Sequence, residues 1–81
     1  MKVYVFEGTG AMPDFGVEKP KPIRVIECAT AWEAKETAMK LGLEFVRNME
    51  AQGFDTSYGE GMGYITAYSS QAKRYRFLLM R

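Results

Sequence analysis

The chain has 81 residues, enough for one small domain and no second hydrophobic core. Lys and Arg number 11 against 10 Asp and Glu, a net charge of +1, so there is no global attraction to nucleic acid or an anionic membrane. There is no histidine, and a single cysteine, Cys28, excludes an intrachain disulfide and a four-cysteine metal site.

A reducing, cytoplasmic setting fits that cysteine count. The opening run Met-Lys-Val-Tyr-Val-Phe is broken too soon by Glu7 and Gly8 to be expected as a signal peptide or membrane span. Residues 2–7, KVYVFE, are β-branched and aromatic and read as a first strand. Residues 8–22 hold Gly8, Gly10, Pro13, Gly16, Pro20 and Pro22, a density that predicts a long loop. Residues 23–28, IRVIEC, read as a second strand.

A helix is predicted from about 31 to 52. Thr30 and Glu33 form an S/T-x-x-E capping box at its start. Gly53 suits the left-handed position after its end, with Phe54 folding back on Met49. Next comes a Gly-rich approach, FDTSYGEGMG, then a third strand at 64–69, a turn at 69–72 and a fourth strand at 73–80. The expected fold is α+β: one domain spanning 1–81, with a four-stranded, mainly antiparallel sheet in the order β-β-α-β-β and one long helix on one face.

The helix carries two apolar stripes. Ala34, Ala38, Leu41, Phe45 and Met49 follow the spacing of a buried face. Trp32, Met39, Leu43 and Val46 form a second arc, which one sheet does not need. Either the loop, with Met12, Phe15 and Val17, folds over this arc, or a partner protein or a second copy covers it. Trp and Met are enriched at interface centres. Trp32, Met39 and Leu43 are therefore the candidate partner-binding residues, with Trp32 and Met39 expected to be at least partly exposed.

Alternation divides each strand between two faces. Val3, Val5, Ile65, Ala67, Tyr75, Phe77 and Leu79 are expected under the helix. The other face would then gather Lys2, Tyr4, Phe6, Tyr64, Tyr68, Arg74 and Arg76. Tyrosines interleaved with arginines would suit base stacking, making Tyr4, Tyr64, Tyr68, Arg74 and Arg76 a candidate single-stranded nucleic-acid surface. The segment Lys73–Phe77 lacks the glycines of an RNP motif, and an exposed antiparallel face carries such residues for cross-strand pairing alone.

Signals for catalysis are weak. Without histidine, the commonest general base and metal ligand are both missing. Cys28 is expected to be buried and inert. Glu7, Asp14, Glu18, Glu27 and Glu60 are scattered in sequence. Gly59, Gly61 and Gly63 lead into a strand, whereas phosphate-cradling glycines lead into a helix. No enzyme activity, cofactor or metal is expected.

The segment Val25–Ala38, VIECATAWEAKETA, resembles a strand-to-helix pattern in small phage-encoded host-takeover and anti-CRISPR inhibitor proteins. That resemblance implies a non-enzymatic protein that binds and blocks a host protein or nucleoprotein complex, and it transfers no functional residue. The expected function is an intracellular binding protein. A nucleic-acid binder and a small homodimeric structural protein are the alternatives.

Overall fold

The computed structural model describes all residues from Met1 to Arg81. One helix, α1 (Ala31–Ala51), lies on one face of an antiparallel sheet of five strands. These are β1 (Lys2–Thr9), β2 (Arg24–Glu27), β3 (Ser57–Gly61), β4 (Tyr64–Ser69) and β5 (Arg74–Met80). Their spatial order is β2-β1-β5-β4-β3, so the first and last strands of the chain pair at the centre.

The α+β class and the antiparallel sheet agree with expectation, but the four-strand count does not. Ser57–Gly61 is an additional edge strand, paired with β4 through the tight Met62–Gly63 turn. Its composition, SYGEG, has low strand propensity. The pairing supplies what the composition lacks: the Tyr64 ring lies across Gly61, where any Cβ would collide with it. An aromatic ring covering the glycine opposite it is a recognised way to hold a glycine on an edge strand.

The helix ends as its sequence dictates. The Glu33 N–H donates to Thr30 Oγ1 at 3.1 Å, and Glu33 Oε2 accepts from the Ala29 N–H at 3.1 Å. At the far end Gly53 adopts φ +88°, the left-handed region. The Phe54 N–H donates to the Met49 carbonyl and the Gly53 N–H to that of Glu50, completing a Schellman stop.

Beneath the helix lie Val3, Val5, Ile65 and Leu78, all buried, together with Ala34 and Ala38. Phe45, Met49 and Ala67 form a second cluster, with Phe54 packed against it. Leu41 is only partly buried and packs at the margin. Gly42 occupies the buried arc instead: a Cβ there would lie 3.0 Å from both Ile65 Cγ2 and Tyr58 Cε2.

The faces of β5 are opposite to those expected. Leu78 pairs with Val5 and Ile65, and Arg76 with Glu7 and Ala67, so the even-numbered residues face the helix. Tyr75, Phe77 and Leu79 point away from it. The segment YRFLLM has large apolar residues at both parities, so alternation alone could not choose. Arg76 is accommodated beneath the helix because it is satisfied there. Its Nη1 donates to the Leu41 carbonyl at 2.9 Å and approaches Glu44 Oε1 at 3.3 Å, and its guanidinium pairs with Glu7. The guanidinium also sits over the Phe45 ring, 5.7 Å from its centroid.

The long connection between β1 and β2 packs against the sheet face remote from the helix. Phe15 stacks on Phe77 with centroids 4.2 Å apart and meets Phe6 edge-on at 5.0 Å. The loop therefore does not cover the second stripe of α1.

Candidate functional site: an exposed helix face

The capping box starts α1 in a register that leaves Trp32, in the first turn, outside the buried arc of Ala34, Ala38 and Gly42. Trp32 is 70% exposed, and Leu43, three turns later on the same side, is 36% exposed. Met39 is half-buried against the core, and Val46 packs against the Phe45–Met49 cluster. The stripe thus divides into two half-buried shoulder residues and two that project. With the loop on the other side of the sheet, nothing within the chain covers Trp32.

A second apolar feature adjoins the start of the helix. Met62, between Gly61 and Gly63 at the tip of the β3–β4 hairpin, is 99% exposed. It lines a shallow cleft of about 470 Å³ with Met1, Met80, Tyr64, Ala31 and Lys35. Methionine side chains are flexible and polarizable, which suits surfaces that adapt to a partner. Sequence periodicity misses this group because its members come from the chain's first residue, a turn and the last strand. The available signal was a large apolar residue placed in a Gly-x-Gly turn.

The candidate nucleic-acid residues do not converge. Tyr4, Tyr64 and Tyr68 lie on the sheet face away from the helix, as expected. Arg74 and Arg76 lie on the helix side, because they share the parity of Leu78. There they line a cleft of about 400 Å³ with Glu7, Phe45, Asn48 and Gln52. Arg76 is already engaged by two carboxylates, so the Tyr/Arg platform expected from alternation is not assembled.

Cys28 is buried, with its thiol 3.8 Å from Thr37 Oγ1. Tyr58, on the helix side of β3, has a buried hydroxyl with no hydrogen-bond partner. Burial, and secondarily the nearby Glu60 carboxylate, push its pKa above the usual phenol value. No three His, Cys, Asp or Glu side chains come together in a cluster that could hold a metal ion. The helix is not long and apolar enough to cross a membrane. Comparison with protein-family models, curated proteins and solved structures finds no match for this chain.

Proposed function

We propose that this protein is a small binding module that acts by occupying the surface of another protein or protein complex, in the manner of a phage-type inhibitor. The observation that carries the reading is Trp32, 70% exposed on a helix whose opposite side is fully committed to the sheet. A bare tryptophan on the same side of α1 as the exposed Leu43 leaves apolar area in water. Such area on soluble proteins marks interaction sites when it is contiguous. Tryptophan is also among the residues that most often dominate binding energy when a partner encloses them.

Cross-linking in the cells that encode the chain tests this directly. A photoreactive residue at position 32 should yield a discrete adduct with one protein, and the same residue at Ser70, in the β4–β5 turn, should not. Trp32→Ala should abolish recovery of that protein while leaving the circular dichroism spectrum and melting midpoint in place. Adducts of equal yield from both positions, or none from either, would remove the reading.

A further inference from the structure

The sheet has a notch where β2 stops short of its neighbour. Even-numbered residues of β1 bond to β5 and its flanks: Lys2 exchanges hydrogen bonds with Arg81, and the Gly10 N–H donates to the Lys73 carbonyl. Odd-numbered residues turn the other way, as antiparallel alternation requires, so the Met1 and Val5 carbonyls accept from the Cys28 and Ile23 N–H groups. The pairing of β2 ends at Arg24, opposite Val5. Glu7 and Thr9 therefore present their N–H and C=O groups to a strand position that no strand occupies, and these groups bond to no other part of the chain. The chain cannot complete this edge itself. Carried on, the β1–β2 register would set Pro22 against Glu7 and Pro20 against Thr9. Those are the two positions whose N–H groups would have to donate, and proline has none. Residues 19–22 accordingly carry no strand.

The notch adjoins the cleft of about 400 Å³ on the helix side, which Glu7, Gly8 and Thr9 line together with Ile23, Asn48 and Arg74. Arg76 is held there by Glu7 and Glu44, but Arg74 forms no ion pair. We propose that Glu7–Thr9 is the docking edge for an extended segment of a partner protein, added antiparallel to β1 on the line of β2, with an acidic side chain opposite Thr9. Thr9 is itself paired with Arg74, so that acidic residue would lie two strands, about 9.6 Å, from Arg74. Glutamate and arginine side chains together span such a gap. In strand addition the main-chain bonds supply affinity and the alternate side chains supply selectivity. Here the free guanidinium selects a carboxylate. Size selects a short segment over a second copy, because an edge with two bonding residues buries far less than the roughly 1,200 Å² of a stable interface. The inference goes beyond the Trp32 reading and does not rest on it, since Asn48 lies about 24 Å further along the helix at 1.5 Å per residue.

The probe is the peptide acetyl-Val-Glu-Val-Thr-amide, added to the full chain at millimolar concentration and followed by amide NMR and hydrogen exchange. In the free chain the Glu7 and Thr9 amides should exchange freely, while those of Phe6 and Gly8, bonded to β5, are protected. The peptide should shift and protect Glu7 and Thr9. Methylating its glutamate and threonine nitrogens, which would donate to the Thr9 and Glu7 carbonyls, should abolish binding. Methylating the nitrogen of the valine between them, which points to solvent, should not. Arg74→Ala, or glutamine for the peptide's glutamate, should each weaken binding about tenfold, and the two together no further. Protected Glu7 and Thr9 amides in the free chain, or no response of these amides to the peptide, would overturn the proposal. So would equal binding of the two methylated forms, which would mean contact without strand pairing, or unchanged affinity in Arg74→Ala. Shifts at Glu7 and Thr9 that follow protein concentration without peptide would give the edge to a second copy, and the proposal would fall.

Discussion

The Tyr58 hydroxyl is closed off from water with no acceptor in reach, and its ring packs against Gly42. A buried donor left unpaired costs about 1–3 kcal/mol. Tyr58→Phe should therefore be neutral or stabilising by about 1 kcal/mol in urea unfolding, and a clear loss would mean that the hydroxyl is satisfied. The raised pKa gives this residue an alkaline signature. Above the ordinary phenol value the unfolded chain releases its proton while the folded chain keeps it. The unfolded state then binds fewer protons, and stability falls as pH rises from about 10 upward. Tyr58→Phe should flatten that decline, which melts at pH 9 and pH 11 would show. Arg76 is the other informative side chain. It is the shared partner of Glu7, Glu44 and the Leu41 carbonyl. Arg76→Ala should destabilise by about 1–3 kcal/mol, with Glu7→Gln recovering part of the loss in a double-mutant cycle.

Among the elements, α1 and β3 show how much local sequence determines. The helix carries its own start and stop. Thr30→Ala frees the Glu33 N–H and should cost about 1 kcal/mol. Gly53→Val would force a β-branched residue to φ +88° and should cost at least as much. Phe45→Ala should cost about 3–5 kcal/mol, enough to unfold a domain with so small a core. Such features are legible because a capping box and a Schellman glycine act within a few residues. The strand β3 was not legible, since apart from Tyr58 the residues of SYGEG disfavour extended structure. Its strand character comes from pairing with β4 and from the Tyr64 ring over Gly61. Tyr64→Ala should accordingly loosen β3 before the rest of the sheet, seen as faster amide exchange in Ser57–Gly61 with little change at β1 and β5.

Taken as a whole, the molecule is a half-covered sandwich. The helix closes one face of the sheet, the long β1–β2 connection closes part of the other through Phe15, and Trp32 lies outside both. Trp32→Ala should leave the melting midpoint nearly unchanged and weaken partner binding by about 2 kcal/mol or more. As the only tryptophan it reports on itself. Its emission in a verified monomer should be red-shifted and open to iodide quenching, and a blue-shifted, protected signal would place it under cover. The apolar excess of α1 was visible in the 3.6-residue period, while the exposure of Trp32 depended on where the long loop goes. Which segment the long loop would cover was not, because Gly and Pro specify a loop without specifying its destination. The helix with both its ends and four of the five strands follow from interactions within a few residues or from a period set by backbone geometry. The fifth strand, the inward turn of Arg76 and the docking of Phe15 were decided only by tertiary structure. Each is a contact between residues far apart in the chain, and in β5 the one-dimensional pattern offers both faces an apolar set, leaving the choice to the carboxylates of Glu7 and Glu44.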